Sequence, residues 1–343
     1  MTTDLDLRIR PVDPLDPRDA DVFERCVEVV TDSARELHGE FHTEDTAAEV
    51  RERQRVATDY RTELFAVCDG DAVLGAASLY LPLKDNLHLG ALALAVAPSA
   101  RRRGVGTALL QEAERRTTAA GRRVLCGESD RLLDTSAPAD GFAASHGYAE
   151  ALGSLRSDLV LDDRLDAALA AVEQEAAVPA ADYEVLVWWD GVPEPWLEQR
   201  AALSARMVTD APMGDLDLEA EVWDAARVAE FYAVAAAQGR RVVESVALHR
   251  QSRQLVAYTN IQVPADRPAL AFQWDTLVHG EHRGHRLGQL VKAANLRALR
   301  AEVPAVQRVV TWNAEVNEPM LRVNRALGFT PHSRTIEWQR ALA

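Results

Sequence analysis

Lysine is almost missing from this chain. Of the 38 Lys and Arg residues among 343, only Lys84 and Lys292 are lysine. With alanine abundant, that bias points to a GC-rich coding sequence and says nothing of function. Cysteine is scarce as well: Cys26, Cys68 and Cys126 are the only thiols. Three cysteines in a chain this long make no disulfide framework, and with no CxxC pair there is no zinc-site spacing. No run approaches 18 apolar residues, so no membrane-crossing helix is expected. The opening MTTDLDLRIRPVD is acidic and has no apolar core, unlike a secretory leader. The expectation is a reduced, cytoplasmic protein. An excess of basic charge is lacking too: the formal net charge is −15. Such a surface argues against nucleic acid and anionic membranes as partners and suits a cationic or amine substrate. Tryptophan is absent from the first half. Trp188, Trp189, Trp196, Trp223, Trp274, Trp312 and Trp338 all lie in the second, where packing is the expected role for most.

What is present is a globular composition, 48% apolar and 27% charged, in a chain long enough for two domains. It is also a repeat. Laying Arg101 on Arg283 puts Val96 on Val278 and Gly106 on Gly288. At nearly the same offset, DAVLGAASLY (71–80) meets RQLVAYTNIQ (253–262), RRVLCGES (122–129) meets QRVVTWNA (307–314), and SHGYAE (145–150) meets ALGFTP (326–331). Four segments in one order at one offset indicate tandem duplication.

Each copy opens with a short strand (7–12; 183–189) and helical segments. A strand pair follows, turning at Asp69-Gly70 in the first copy and near 251–253 in the second. An apolar strand, LHLGALALAV or LAFQWDTLV, then leads into a glycine loop. A helix from about 104 to 119, or 287 to 301, comes next, then a strand, a short helix and a last strand. Mixed elements in this order predict an α+β (α/β sandwich) fold. The acidic helical stretch 164–181 reads as a linker between domains at 1–163 and 182–343.

The loops carry the first functional signal. A strand ending in a tight basic turn that opens a helix is an anion site, because the first helical N–H groups lack internal partners and the macrodipole adds positive potential. In the first copy the candidate residues are Val96, Arg101, Arg102, Arg103, Gly104, Val105, Gly106 and Thr107. In the second they are Val278, Arg283, Gly284, His285, Arg286, Leu287 and Gly288. Arg286 stands where the first copy has Gly104. A residue opening a helix needs no positive φ, so backbone donation is expected to survive there.

The run V-x-P-x-x-R-x-x-G-x-G at 96–106 and the ending N-x-x-M…L-G-F at 317–329 resemble the GNAT N-acetyltransferase superfamily, in the tandem arrangement seen in mycothiol synthases and other actinobacterial acetyltransferases. The resemblance implies two domains, each a mixed, mostly antiparallel sheet flanked by helices. It also implies acetyl-CoA as cosubstrate, with its pyrophosphate on the loop, Asn317 contributing, and pantetheine along a splayed strand edge. An oxyanion would meet a backbone N–H near Val96 or Val278. Many members place a tyrosine acid just before the final GF. That position is Ala143 here and Asn324 in the second copy, so direct protonation of the thiol by tyrosine is lost. A dinucleotide-binding fold is excluded, since no GxGxxG follows an N-terminal strand.

Acetyl transfer to an amine needs a base above all. Neutralising an alkylamine of pKa about 10.4 at pH 7 costs about 4.6 kcal/mol, whereas a thiol of pKa about 8.5 needs only about 2 kcal/mol of help to leave. GALALAV holds no titratable group, but AFQWDTLV holds Asp275. TWNAEVN adds Asn313, Glu315 and Asn317. Asp275 or Glu315 is the expected base, with a bulge expected near Asp275; a hydrogen-bonded strand acid and a helix-capping acid are the structural alternatives for the two. Asn324 is a substitute polar group and His279 a second base candidate. Trp274 and Trp312 are expected to wall the acceptor site. His282 and His285 stand three apart without further ligands, so no metal is expected. The reading is acetyl transfer from acetyl-CoA to a small-molecule amine in the C-terminal copy, by a monomer with internal pseudo-dimer packing or a homodimer. The alternatives are a non-catalytic acyl-CoA-binding or regulatory module and a protein-lysine acetyltransferase.

Overall fold

The computed structural model describes residues 8–342. Residue 7 of the expected first strand and most of the acidic opening segment lie outside them. The first repeat runs β1 (Arg8–Val12), α1 (Ala20–His38), α2 (Ala47–Val56), β2 (Tyr60–Asp69), β3 (Ala72–Pro82), β4 (Leu89–Val96), α3 (Val105–Ala119), β5 (Val124–Leu132), α4 (Pro138–Ser145) and β6 (Ala149–Val160). After α5 (Leu165–Ala176), the second runs β7 (Tyr183–Trp189), α6 (Leu197–Ser204), α7 (Met207–Asp210), α8 (Ala225–Ala237), β8 (Arg240–His249), β9 (Gln254–Pro264), β10 (Leu270–Val278), α9 (Leu287–Glu302), β11 (Arg308–Ala314), α10 (Glu318–Leu327) and β12 (Thr330–Ala341). No described helix is long and apolar enough to cross a membrane.

The compact units do not follow the two halves of the sequence. The N-terminal unit combines residues up to Leu152 with Asp215–Asp217 and the stretch from Thr335, whereas the C-terminal unit comprises Gly153–Gly214 and Leu218–Arg334. The expected division at 163/164 and 181/182 is corrected accordingly. The cause is an exchange of last strands. The N-terminal unit has strand order β1-β2-β3-β4-β5-β12, and the C-terminal unit β7-β8-β9-β10-β11-β6. In the latter, β6 pairs with β11 from Ser154↔Ala314 to Val160↔Arg308. Apolar side chains explain the placement. Leu159 of β6 joins the core of Val243, Ile261, Leu296, Val309 and Phe329. Ile336 and Trp338 of β12 join the core of Phe65, Leu79, Leu109 and Leu125. Trp338, counted with the second half of the sequence, therefore serves the N-terminal unit, where its indole N–H donates to Ser129 Oγ at 2.8 Å.

The stretch expected as a linker is part of a core. Leu165, Leu169, Val172 and Ala176 recur at helical spacing and are all buried. The first three pack in the cluster that holds Leu296 and Leu299 of α9. Among the described strand pairs only β4–β5 and β10–β11 are parallel. Each parallel pair is followed or bridged by the helix that begins at the glycine loop, α3 or α9.

Gly75 fixes how closely α3 approaches β3. A Cβ added there would meet Val105 Cγ1 at 2.8 Å, Ala95 O at 3.0 Å and Leu109 Cδ1 at 3.0 Å. Two of these contacts come from the first turns of α3. Gly75→Ala is therefore expected to cost about 1–3 kcal/mol through overpacking, read as a lower urea midpoint; an unchanged midpoint would contradict this packing.

Candidate active site

The site starts where a parallel strand pair stops pairing. β4 meets β5 only from Leu89↔Val124 to Leu92↔Gly127, yet β4 continues to Val96. β10 meets β11 only from Leu270↔Arg308 to Phe272↔Val310, yet β10 continues to Val278. Beyond those points each strand has one edge whose backbone groups are open to an extended ligand. In β10 the expected bulge is present. Gln273 faces Ile261 and Thr276 faces Thr259, so Trp274 and Asp275 together oppose Asn260.

The two loops prove to be the same backbone with glycine placed reciprocally. In the first, Arg102 has φ 63 and Gly104 φ 85; in the second, Gly284 has φ 86 and Arg286 φ 57. The expectation that Arg286 needs no positive φ is corrected: it caps α9 in the left-handed conformation, as Gly104 caps α3. The first helical bonds run from Ala108 N–H to Gly104 O and from Leu290 N–H to Arg286 O. That leaves the N–H groups of Val105, Gly106 and Thr107, and of Leu287, Gly288 and Gln289, as anion donors. Val105 and Leu287 are buried and anchor the helix starts.

Two predicted phosphate arginines do other work. Arg101 Nε donates to Val96 O at 3.3 Å and Nη2 pairs with Glu36 at 2.8 Å. Arg283 Nε donates to Val278 O at 3.2 Å and Nη2 pairs with Asp210 at 3.1 Å. Both staple the loop to the end of the preceding strand. Arg286 pairs with Glu175 at 2.6 Å. Arg102, Arg103 and Gly104 are exposed. In the N-terminal unit Thr107 Oγ1 contacts His146 Nε2 at 3.2 Å, and the Phe142 ring lies over Gly106. Its counterpart over Gly288 is the smaller Val323. In the C-terminal unit a cavity of about 690 Å³ opens on the loop, lined by Thr276, Val278, Gly284, Arg286, Gly288 and Asn317 among others. That size is within the usual range for a cofactor-sized ligand.

The structure separates the predicted catalytic residues. Asp275 lies in the bulge, one residue from Thr276 of the cavity wall. Tyr258 OH donates to its Oδ2 at 3.0 Å, and burial pushes its carboxyl above the usual range despite the neighbouring Arg200 charge. Glu315 is not at the cavity. Arg334 donates to it through Nε at 2.9 Å and Nη2 at 2.8 Å. The pair packs over Gly153, where a Cβ would come within 2.6 Å of both side chains. Nor does Glu315 cap α10. Asn317 does, accepting from Met320 N–H at 3.3 Å. Asn324 is buried, accepting from Lys292 Nζ at 2.6 Å and donating to Asn313 Oδ1 at 2.6 Å. Trp274 (53% exposed) and Trp312 (36%) reach solvent, so neither is a core residue.

The histidines near the loop are engaged with one another. Tyr183 OH lies 2.9 Å from His282 Nδ1, and His285 Nδ1 lies 3.2 Å from His282 O. Burial and the neighbouring His249, His279 and His285 hold the His282 imidazole below its usual pKa. His279 caps the turn after β10, accepting from Glu281 N–H at 3.4 Å. No group of three or more His, Cys, Asp or Glu among the described residues is placed to hold a metal ion.

Sequence reasoning missed two groups. Glu128 is the residue after Gly127, where β5 leaves β4. Its side chain still reaches solvent, but the protein crowded round it, with the charges of Glu337 and Asp130, pushes its carboxyl up to about 7. Glu337 is raised by burial. It arrives on β12, so no local pattern announces the pair. The other group is Lys292, fully buried on α9, whose amine burial pushes down to about 7.

Two tests follow from this geometry. Arg102→Gly is expected to raise stability by about 0.5–1 kcal/mol by relieving a left-handed non-glycine residue; a loss would contradict the strain. For Lys292, the unfolded chain holds a proton that the folded one lacks between about 7 and its usual value of 10.5. Stability therefore rises with pH across that window and is lowest below it. Lys292→Met should flatten the rise in denaturation midpoint between those values, and an equally steep rise in the variant would rule this out.

Residues 27–148 match the family model described as acetyltransferase (GNAT) family. No curated protein matches the sequence. Among solved structures, a tandem GNAT protein from the clavulanic acid biosynthesis pathway is similar over 98% of this chain and 99% of that one, with 25% identity and a TM-score of 0.78. A GCN5-related N-acetyltransferase from Sphaerobacter thermophilus shares 16% identity over 99% of this chain and 97% of that one, with a TM-score of 0.65. A GCN5-related glucosamine N-acetyltransferase region of a fungal multidomain β-N-acetylglucosaminidase shares 12% identity, covering 98% of this chain and 38% of that one, with a TM-score of 0.64. The last two are likenesses of fold alone. With its parted parallel strands, paired helix-opening loops and duplicated architecture, the chain carries a GNAT-family acetyltransferase domain at residues 27–148 and has the tandem GNAT fold over its length.

Proposed function

We propose that the protein transfers an acetyl group from acetyl-CoA to the primary amine of a small molecule, with the chemistry in the C-terminal unit. The observation that carries this reading is the coincidence, in one unit, of a strand edge left open by parting, a helix N-terminus and a cavity of about 690 Å³ that joins them. The residues fit such a ligand. Leu287, Gly288 and Gln289 N–H groups suit a pyrophosphate, and the free edge of β10 suits an extended amide chain.

Acetyl-CoA held there supplies an activated thioester. The chain supplies the rest. Asp275 sits beside the wall residue Thr276 and accepts the amine's proton, and its raised affinity for that proton favours the transfer. Each unit of upward shift removes about 1.4 kcal/mol from the cost of deprotonating the amine. Trp274 and Trp312, both open to solvent, offer an apolar, cation-tolerant wall for the acceptor. Asn324, backed by Lys292, takes the position near the cofactor helix from which many relatives present tyrosine.

A second reading places the chemistry in the N-terminal unit, because Glu128 stands at the parting of β4 and β5 with its carboxyl at about 7. The experiment is a release assay for free CoA over a panel of small amines, run beside calorimetric titration with acetyl-CoA. Two binding sites are expected, with Gly104→Glu and Gly288→Glu each removing one. Asp275→Asn should lower turnover about 100-fold or more. If Glu128→Gln lowers it instead, the N-terminal unit is the catalytic one. If no amine speeds CoA release above hydrolysis, the protein is an acyl-CoA-binding module and the proposal is wrong.

A further inference from the structure

Asp275 stands at the end of a buried polar chain that crosses the C-terminal unit. Glu244 on β8 is fully buried and accepts from Arg200 Nε at 2.6 Å and Nη2 at 3.1 Å. Tyr232 OH of α8 donates to the same carboxylate at 2.7 Å. Arg200 on α6 also bonds Ser204. Its guanidinium lies over the Tyr258 ring, with Cζ 3.4 Å from the centroid. Tyr258 on β9 then donates to Asp275 Oδ2. Among the described residues Oδ1 accepts no hydrogen bond.

Stability alone does not account for this chain. Burying a guanidinium and a carboxylate costs desolvation that their attraction does little more than repay, and apolar side chains of equal volume often pack as well or better. The arrangement does have a directional consequence. Burial and the Asp275 and Glu244 charges hold the Tyr258 phenol well above its usual pKa. It therefore stays protonated and acts only as a donor. The arginine, pinned on its far side by Glu244 and Ser204, polarises that donor and fixes the ring plane. A carboxylate in a bulge would otherwise rotate about its side-chain torsions.

We infer that Glu244, Arg200 and Tyr258 are positioning residues for Asp275: Tyr258, held by the other two, occupies Oδ2 and leaves Oδ1 as the oxygen free to take the acceptor's proton. The inference rests on the reading of Asp275 as the base. The groups facing the carboxylate are Tyr258 from β9 and Arg200 from α6, with Glu244 from β8 and Tyr232 from α8 behind them. The arginine charge and the tyrosine hydrogen bond lower its proton affinity, opposing burial.

The test is a ¹³C NMR titration of the aspartate carboxyls in the full chain, with the Asp275 resonance assigned by its loss in Asp275→Asn. Tyr258→Phe keeps the ring and should move the Asp275 midpoint up by about one unit, a tenfold change in proton affinity. The acid limb of the amine-acetylation pH profile should move with it. Arg200→Met combined with Glu244→Gln removes both charges, leaves neither stranded, and should shift the midpoint the same way. A merely structural role would lower the melting temperature and leave the midpoint in place, and that result would overturn the inference. The two readings fail separately. Full turnover in Asp275→Asn sinks the assignment of the base, while an unmoved midpoint in Tyr258→Phe sinks the positioning chain whether or not Asp275 is catalytic.

Discussion

The exchange of last strands is the constraint on which both units depend. β6 supplies Leu159 to the C-terminal core and pairs with β11 along seven residues. β12 supplies Ile336 and Trp338 to the N-terminal core. Removing either strand would strip a sheet edge and bare apolar surface that nothing else in its own repeat covers. The exchange also reaches the sites. Glu337 stands near Glu128 only because β12 belongs to the N-terminal unit. Gly153 at the start of the exchanged stretch of β6 makes the space that the Glu315–Arg334 pair fills.

The loops show what a duplicated helix-opening turn preserves. Two left-handed positions recur, and each loop fills one with glycine and the other with arginine. The donors are backbone N–H groups at a helix start, so side-chain identity there is free to drift as long as the dihedrals hold. Arg101 and Arg283 have the same pair of partners, a strand carbonyl and a carboxylate on a preceding segment. Their sameness comes from fixing the loop and not from meeting the ligand.

Much of the fold was legible because local patterns and the offset near 182 agree. The hairpin turn at Gly70 and the helices opening at 105 and 287 lie where apolar periodicity and glycine placed them. What escaped the sequence depends on distance along the chain. Period-two alternation marks β12 as a strand without saying which sheet it joins, so Trp338 counts with the second half of the sequence although it packs in the N-terminal unit. The same limit hid the role of 164–181. Leu165, Leu169 and Val172 have the spacing of a packing face, but the acidic composition around them reads as a linker. Glu315 shows the converse error. An acid beside a cleft strand reads as a base until a partner nineteen residues on, Arg334, is seen to hold both its oxygens.

Energetics then separate the two carboxylates that remain. A base for an amine gains from a raised pKa and loses if the same burial keeps the acceptor out. Asp275 is raised by burial, yet is tied at one oxygen and precedes Thr276 in the wall of a cavity of cofactor size. Glu128 is raised as well, with Glu337 and Asp130 adding repulsion, and keeps solvent contact. Repulsion between like charges is relieved when a cation arrives, so Glu128 suits holding an ammonium group more than stripping its proton. At Asp275 burial is the main cause, and the Arg200 charge opposes the repulsion from Glu244. A proton taken there is stabilised by the dry surroundings that raised the carboxyl in the first place. That asymmetry in what each carboxylate gains from binding a proton, set against binding a cation, is the physical reason to seek the chemistry in the C-terminal unit.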